Sequence, residues 1–472
     1  MPICRMKLPL FDDYWIDFRK NTVRRWFAPE RYALLPAGPY CSMVYDRELK
    51  KYRVYYETLI NIGNDGPRQL RMLEGDDLQR MQPCLVNGDP VLFQGEGGVH
   101  GTAVMLDNYT DDPNKRYKLT GMFHMGRDVP GNAFTDPVAL LCSADGVHWS
   151  FDDEKILHPY TSDALNRLYY NPFSEEYMLL HRAAFVDRRI SLRTSKDTEH
   201  WSEPQVILPP GPNYNNGSTG MQHYSMTARY EDGIFYGLLW RYNTNLYDME
   251  YTRMFGYMEP ELVYSYDGRE YMYTSGRALM ERPMPPEPGC VGLAPQDMCE
   301  SADGQYYYIL CSGAVFVHGT AESNKLLHDA LKNTEVKGGN PVYRIRKDGF
   351  CGIESVGHGG EVVTKGIALL KDDLSFNVRA NVGYVRFALR NMDGSFVEGF
   401  SYDDCVPFAY KDGLDVRPVW KEHTLNEVLG RQVRVCVELN SAMLHCISAT
   451  ARPHIRQPQM SMANPMAVGS QR

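Results

Sequence analysis

Carboxylate side chains stand beside several apolar, strand-like runs of this chain, at positions that do not repeat. Asp163 comes just before the run at 165–170, and Glu96 lies in a glycine-rich stretch at 95–101. Glycines let a backbone approach a ligand closely. Two carboxyl groups held together can share acid–base chemistry, because one donates a proton while the other attacks or activates water. Asp163 and Glu96 are therefore candidate catalytic acids.

Three further acids extend this candidate catalytic set: Glu259, Glu261 and Glu287. Glu259 and Glu261 flank Pro260 at the opening of a strand-like run. Because side chains alternate along a strand, both carboxylates are expected on one face, where they can act as a pair, and one of them is the candidate general acid. Glu287 precedes the apolar run at 290–294.

Other polar and aromatic side chains near the ends of these runs are candidates for binding a ligand. They are His100, Arg182, Arg188, His223, Asp297 and Trp240. Arginine and histidine can bind hydroxyl or carboxylate groups, and tryptophan can stack on a sugar ring. No zinc-binding or phosphate-binding motif occurs in the sequence, so we predict no metal ligands and no cofactor.

These residues stand within a pattern that occurs five times between residues 40 and 350. Each repeat has a first apolar run, a polar turn, an aromatic-led middle run and a third apolar run. The first runs are 40–45, 101–107, 165–170, 224–230 and 290–294. The middle runs are 51–57, 116–124, 176–182, 234–242 and 305–312. A strand repeat of about 60 to 70 residues is typical of a propeller, whose first strands line a central channel.

The predicted fold is therefore all-β. A five-bladed β-propeller is expected over residues 1–350, with an entry segment up to about residue 36 and the working site at the mouth of the channel. Alternating strands without the aromatic-led pattern predict a β-sandwich over 351–452. The irregular segment 453–472 is expected to be a flexible tail.

A second motif marks the ends of the third runs. Ser143, Asp145 and Trp149 share the pattern Ser-x-Asp-x-x-x-aromatic with two later repeats. An Asp in such a turn accepts backbone N–H bonds. We interpret these aspartates as structural residues of the turns and not as catalytic acids.

Composition and charge exclude some classes of function. The chain is 43% hydrophobic and 23% charged, and its net charge of −9 argues against nucleic-acid binding. It has no signal-peptide stretch and no apolar run long enough to span a membrane. Its 11 scattered cysteines predict free thiols. We expect a cytoplasmic protein without a membrane partner, and homo-oligomerisation is left open.

Several phrases of the sequence resemble a known group of proteins. They are LFDDYWID (10–17), DDPNKRYKL (111–119), SADGVHWS (143–150), NRLYYNPFSEEYMLLHR (166–182), ELVYSYDGREY (261–271), YRIRKDGF (343–350) and GFSYDDC (399–405). With the five repeats, they resemble the five-bladed propeller glycoside hydrolases of families 32, 43 and 68 and their relatives. The resemblance covers roughly residues 8 to 450.

The resemblance implies a glycosidase, exo-acting on a furanoside oligosaccharide such as a fructofuranoside or arabinofuranoside. It also implies that Asp163 takes the place of the family's transition-state-stabilising aspartate. The family 32 W-M-N-D-P-N-G, R-D-P and E-C boxes are absent, and their nearest counterparts stand at Thr135-Asp136-Pro137 and Met258-Glu259-Pro260. Two alternatives stay open. One is a non-catalytic carbohydrate-binding propeller, and the other is a sialidase-like or phosphorolytic glycosidase whose arginines bind a carboxylate or phosphate.

Overall fold

The fold is described from a computed structural model of the chain. The structure describes residues 5–59, 68–95, 98–123, 136–150, 155–182, 188–208, 219–245, 256–274, 277–316, 325–330 and 338–453. Within them the protein is all-β, apart from one six-residue helix, α1 (Lys325–Ala330), and two 3-10 helices, Pro113–Lys115 and Leu425–Val428. No helix in this part of the chain is long and apolar enough to cross a bilayer.

The chain divides into two compact units. One is Ala28–Arg346, and the other combines Met1–Phe27 with Lys347–Arg472. The strands of the N-terminal segment are β1 (Arg5–Pro9), β2 (Ile16–Lys20) and β3 (Val23–Trp26), and the unit of Ala28–Arg346 begins with β4 (Glu30–Leu35).

Five antiparallel strand groups follow in the unit Ala28–Arg346. Group 1 contains β5 (Cys41–Asp46), β6 (Lys51–Leu59), β7 (Arg68–Gly75), β8 (Gln82–Pro83) and β9 (Val91–Phe93). Group 2 contains β10 (Val99–Leu106), β11 (Tyr117–Phe123), β12 (Val138–Ser143) and β13 (Lys155–His158). Group 3 contains β14 (Arg167–Asn171), β15 (Glu176–Arg182), β16 (Ile190–Ser195) and β17 (Gln205–Leu208).

Group 4 contains β18 (Thr219–Glu231), β19 (Ile234–Asn245), β20 (Gly256–Ser265) and β21 (Met272–Tyr273). Group 5 contains β22 (Gly292–Glu300), β23 (Tyr306–Ala314) and β24 (Asn340–Arg346). Its last place is taken by β4, which pairs antiparallel with β24. The first strand of the unit thus completes its last group.

The first strands of the five groups are neighbours in a closed cycle. β5 contacts β10, β10 contacts β14, β14 contacts β18, β18 contacts β22, and β22 contacts β5 again. One buried apolar cluster collects a residue from, or just before, each of these strands: Tyr40, Ala103, Leu165, Tyr224 and Ala294. Residues far apart in the sequence therefore meet where these strands converge.

Leading tyrosines link successive groups. The Tyr177 hydroxyl of group 3 donates to Asp107 of group 2 at 2.6 Å, and the Tyr117 hydroxyl of group 2 donates to Asp46 of group 1. The Tyr52 hydroxyl of group 1 accepts the N–H of Ala302 from group 5 at 2.7 Å. The polar tips of the aromatic-led runs thus help to hold neighbouring groups in register.

The Ser-x-Asp turns have the structural role predicted for them. Asp145 accepts the backbone N–H groups of Val147 and His148 at 2.9 and 3.0 Å, and the Ser143 hydroxyl donates to it at 3.0 Å. Burial opposes ionisation of Asp145, but its bonds to His148, Val147 and Ser143 hold its pKa well below the usual range. Gly146 has φ +73°, and a Cβ there would lie 2.5 Å from the Tyr55 hydroxyl.

The second unit is also built of antiparallel strands. Those after residue 350 are β25 (Cys351–Ser355), β26 (Gly360–Thr364), β27 (Ile367–Leu369), β28 (Ser375–Arg379), β29 (Tyr384–Arg390), β30 (Phe408–Ala409), β31 (Asp412–Val416), β32 (Gln432–Asn440) and β33 (Ala442–Pro453). Their core includes the stacked rings of Phe376 and Phe387, 4.0 Å apart. The ten cysteines in the described part of the chain are free.

The N-terminal segment lies elsewhere than we predicted. The sequence analysis placed residues 1–27 with the repeats, but β1 pairs with β33, β2 with β26 and β3 with β25. The backbone N–H and C=O groups of these three strands find their partners among the C-terminal strands. The predicted flexible tail lies outside the described residues from residue 454 onward.

Candidate functional site

Asp163 lies on the segment that leads into β14, with 60% of its side chain exposed. Its Oδ1 is 2.9 Å from Nε2 of His100, on the second strand position of β10. The segment is held against β10 because Asn166 donates its backbone N–H to the carbonyl of Gly101 at 2.9 Å. We define the site mouth as Glu57, Arg68, His100, Asp163, Arg182 and Arg188.

Gly101 explains how Asp163 and His100 come together. Its φ is +64°, and a Cβ at this position would lie 2.0 Å from the carbonyl oxygen of Ala164. Only glycine fits this conformation and this close approach without strain. The residue next to His100 thus lets the segment carrying Asp163 pack directly on β10.

Behind His100 lies a second carboxylate, Glu57, which has no exposed surface. It accepts the backbone N–H and the hydroxyl of Thr102 at 2.7 and 2.8 Å, and it pairs with Arg68 at 3.3 Å. Its Oε2 is 3.7 Å from Nδ1 of His100. Burial raises the pKa of Glu57, against the opposing effects of His100, Arg68 and the Thr102 donors. His100 is therefore placed between a buried and an exposed carboxylate.

The electrostatic surroundings of Asp163 favour its charged form. Burial alone would raise its pKa, but the hydrogen bond from His100 and the charges of Arg182, His100 and Arg188 bring it below the usual value. Arg182 Nη1 is 3.7 Å from Asp163 Oδ2. Asp163 is thus an exposed carboxylate that stays ionised at neutral pH.

Aromatic rings form the floor beneath the mouth. The ring of Tyr40 meets that of His100 edge-on at 4.7 Å and lies 6.1 Å from that of Trp240. Tyr224 also stacks on Trp240, with ring centres 5.9 Å apart and an interplanar angle of 12°. Tyr40 has a φ of +45°, a conformation that non-glycine residues adopt rarely and that occurs often at functional sites.

The structure brings five of the residues named from the sequence into this region: Asp163, His100, Arg182, Arg188 and Trp240. Trp240 is buried, and its Nε1–H donates to the Pro295 carbonyl. Trp240 therefore supports the floor. The sequence analysis predicted that its ring stacks on a sugar, but the buried ring does not offer an open face.

Glu259 and Glu261 form the pair that strand alternation predicted, but not at the mouth. Both carboxylates pair with Arg241, at 2.7 and 3.5 Å. Arg241 alternates with Trp240 and Tyr242 along β19, so this ion pair lies on the opposite face of group 4 from the aromatic floor. Glu261 is also fully buried. Glu259 also pairs with Arg282 at 3.6 Å, so two arginines offset the two carboxylates on the face away from the floor.

Three other predicted residues, His223, Asp297 and Glu287, make hydrogen bonds or ion pairs with other groups of the protein. His223 is buried, and its Nδ1 donates to the Leu208 carbonyl at 2.8 Å while Nε2 contacts the Tyr273 hydroxyl at 3.0 Å. Both ring nitrogens are engaged within the protein, and substrate binding by His223 stays a prediction.

Asp297 is buried within the ring of first strands, where it pairs with Arg167 at 3.0 Å and accepts the backbone N–H groups of Met43 and Met298. Burial raises its pKa. Glu287 pairs with Arg31 at 3.5 Å. Both acids are thus engaged by arginines of the protein, and their predicted roles stay predictions. Glu96 lies outside the described residues.

Sequence reasoning missed Glu57, Arg68, Tyr40 and Tyr224. The sequence did offer a signal for Glu57. It is a carboxylate at the end of the apolar middle run 51–57, at a position where an apolar residue of the strand would be expected. The two tyrosines had none, since aromatic residues are common in every strand of this chain.

A separate cavity of about 420 Å³ lies at the opposite ends of the first strands. Its charged lining residues are paired: Arg47 with Glu300 at 2.9 Å, Arg167 with Asp297 at 3.0 Å, and Arg229 with Glu231 at 2.5 Å. It contains none of the mouth residues. Among the described residues, no group of three or more His, Cys, Asp or Glu side chains could hold a metal ion.

No protein-family profile and no curated protein matches the chain. Among solved structures it is similar to an N-acetylgalactosamine deacetylase from F. plautii, with 12% identity, 72% of this chain and 95% of that chain covered, and a TM-score of 0.44. It is also similar to an alpha-L-arabinanase of Penicillium chrysogenum (10% identity, 70% and 98% covered, TM-score 0.38). A third is the GH93 alpha-L-arabinofuranosidase of Fusarium graminearum (9% identity, 70% and 98% covered, TM-score 0.38). These similarities assign no activity to this chain.

Proposed function

We propose that this protein is a glycosidase whose site is the mouth around Asp163. The observation that carries the proposal is an exposed, ionised carboxylate held by His100 and Arg182 above an aromatic floor. An ionised carboxylate can stabilise the oxocarbenium-like transition state of glycoside cleavage, attack the sugar carbon or activate water. The five strand groups with their cyclic first strands would be the blades of a five-bladed propeller, and the second unit a β-sandwich.

The chemistry also requires a proton donor for the leaving oxygen. Glu57 has no exposed surface, so it acts only through His100. We propose Glu96, a candidate catalytic acid in the stretch that leads into β10, as this donor in place of Glu259 or Glu261. The proposed substrate is the non-reducing end of a furanoside oligosaccharide, such as an arabinofuranoside or a fructofuranoside.

A panel of aryl arabinofuranosides and pyranosides, with fructo-oligosaccharides, tests the proposal. Asp163→Asn and Glu96→Gln should each lower kcat/KM on the best substrate by about 10²-fold or more, the usual contribution of a positioned acid or base. The control Asp76→Asn changes an aspartate that is 75% exposed and should leave the rate unchanged.

Equal rates for the wild type and Asp163→Asn would remove Asp163 from the mechanism. If no glycoside of the panel is cleaved, the glycosidase proposal is wrong. Binding of the same oligosaccharides without turnover would then support the alternative of a non-catalytic carbohydrate-binding protein.

A further inference from the structure

The exposed carboxylate of Asp163 belongs to a segment that is otherwise buried on both sides of it. Ser162 is 1% exposed and Asn166 is fully buried, whereas 60% of the Asp163 side chain is exposed. The segment precedes β14, which begins at Arg167, so strand pairing does not hold its backbone. Its buried backbone groups need other hydrogen-bond partners, and side chains supply them.

The Asn166 side-chain amide bonds to the residues on both sides of the acid. Its Nδ2 donates to the carbonyl of Ser162 at 3.1 Å and to that of Ala164 at 2.9 Å. The same nitrogen is 3.3 Å from the carbonyl of Gly101, the residue that follows His100. An amide nitrogen carries two hydrogens, so the three carbonyls share them. One buried side chain thus joins the backbone around the acid to the backbone beside the histidine.

Asn166 is itself fixed by strands of group 2. Its backbone N–H donates to the Gly101 carbonyl, and its own carbonyl accepts the hydroxyl of Thr120, on β11, at 2.5 Å. Thr120 is fully buried as well. The amide therefore has a fixed position, because breaking any of these buried bonds costs free energy.

Ser162 ties the same segment to two further strands. Its hydroxyl accepts the backbone N–H of Arg182, on β15, at 3.0 Å, and its own N–H donates to the sulfur of Met122, on β11, at 3.2 Å. The pairing of β14 with β15 stops where Arg167 lies opposite Leu180. The N–H of Arg182 is beyond that point, so the Ser162 hydroxyl takes the place of a backbone acceptor.

We infer that Asn166 and Ser162 are positioning residues that keep the Asp163 carboxylate at hydrogen-bond distance from His100 and beside Arg182. Both side chains are buried, so they act through Asp163 and not on a ligand. A displacement of about 1 Å in a reacting group can cost about 10²-fold in rate, which makes such an anchor important. This inference rests on the proposed function of Asp163 and specifies what holds that site in its working geometry.

A titration of Asp163 tests the inference without requiring turnover. In the full chain labelled with ¹³C at the aspartate carboxyl carbons, its NMR signal is the one that Asp163→Asn removes. Despite burial, the bond to His100 and the charge of Arg182 hold its pKa below the usual value. Ser162→Ala and Asn166→Ala should each raise this pKa towards the usual value, because the carboxylate loses its fixed distance from these two groups.

The same two variants should lower kcat on the best glycoside by about tenfold or more. KM should change by less than about threefold, because a misplaced acid affects the transition state more than it affects substrate binding. Ser42→Ala is the matched control. Ser42 is also 1% exposed, and its hydroxyl accepts the backbone N–H of Val104 at 2.8 Å. The control should lower the melting temperature about as much as Ser162→Ala but leave the Asp163 titration and kcat unchanged.

The inference is wrong if Ser162→Ala retains the wild-type titration of Asp163 or, on a glycoside that is cleaved, the wild-type kcat. Ser162→Ala removes a single hydroxyl and decides the matter even if Asn166→Ala does not fold. An equal shift of the titration in Ser42→Ala would also overturn the inference, because the effect would then be general destabilisation.

The proposed function can fail separately. A shifted Asp163 titration in a protein that cleaves no glycoside would keep the positioning role and reject the glycosidase. Turnover by the wild type, with unchanged titration and kcat in Ser162→Ala, would reject only the positioning role.

Discussion

Asp163 shows how a single carboxylate acquires properties that its sequence position does not predict. The sequence singled out Asp163 because it precedes a strand-like run. The charge state of Asp163, however, depends on His100 of β10 and Arg182 of β15. Sequence analysis proposed all three residues. It did not predict that they meet, because they are separated by strand groups that only the fold brings together.

Glu57 gives a prediction at the same scale. Glu57→Gln removes a buried carboxyl group whose pKa burial raises above its usual value. Because the unfolded chain loses this proton at a lower pH than the folded chain does, the free energy of unfolding of the wild type should fall as the pH rises above about 4.3. Glu57→Gln should reduce this fall, and urea unfolding at about pH 4 and about pH 6 measures the difference.

Glu300→Gln is the control for Glu57→Gln, because Glu300 lies beside the opposite cavity and pairs with Arg47. It should preserve the wild-type change in the free energy of unfolding between these two pH values. A wild-type change in Glu57→Gln itself would show that the Glu57 carboxyl group does not titrate as described.

At the scale of the elements, groups 2 and 3 share a buried histidine pair. The rings of His158, which ends β13, and His181 of β15 are 4.3 Å apart. Burial and the charge of Arg193 lower the pKa of His158 to about 4. Burial, His158 and Arg193 lower that of His181 to about 3. The exposed ring of Tyr160 meets the His158 ring edge-on, with ring centres 5.5 Å apart.

This pair predicts a loss of stability in mild acid. Because both folded pKa values lie below the unfolded value of about 6.5, the unfolded chain binds these protons first. The free energy of unfolding should therefore fall as the pH drops below about 6.5, by up to about 2 kcal/mol for each histidine at pH 5. Urea unfolding at pH 7 and pH 5 measures the difference.

His181→Leu should reduce this dependence between pH 7 and pH 5, because the variant lacks one of the two titrating rings. His148→Gln changes an exposed histidine, 73% accessible, and should preserve the wild-type slope. Equal slopes for His181→Leu and the wild type would mean that the buried pair does not titrate as described.

At the same scale, the local pattern predicted much of the fold. The five middle runs correspond to β6, β11, β15, β19 and β23, and the Ser-x-Asp turns lie where they were expected. Alternation and turn chemistry act over a few residues, so a single sequence reveals them. The pairing of β1, β2 and β3 with C-terminal strands was missed because edge pairing depends on which distant strand offers free backbone groups.

At the scale of the whole molecule, the unit Ala28–Arg346 is closed by its own first strand. β4 completes group 5, and Asn340 of β24 donates to the Gly38 carbonyl at 2.7 Å and contacts the Cys41 sulfur at 3.0 Å. Asn340 is buried, so its amide joins the last strand of the unit to the segment that enters β5.

Asn340→Ala should lower the free energy of unfolding by about 1 kcal/mol, because it leaves the half-buried Gly38 carbonyl without this donor. Thermal and urea unfolding of the full chain measure the change. Asn114→Ala, at an exposed position of a 3-10 helix, should have little effect. A wild-type midpoint for Asn340→Ala would show that β4 pairing alone closes the unit.

The sequence by itself determined the local features of this protein: an all-β chain, five aromatic-led repeats, their turns and a set of acids outside the repeat. These features depend on neighbours within a few residues. Only the tertiary structure decided which polar residues form a site. Glu57, His100 and Asp163 belong to three different strand groups, and they meet because the first strands close into a cycle and Gly101 permits the contact. The same closure buried Asp297 and His223, and strand alternation turned Glu259 and Glu261 away. Proximity between distant segments, and the charge state that follows from it, is a property of the folded chain.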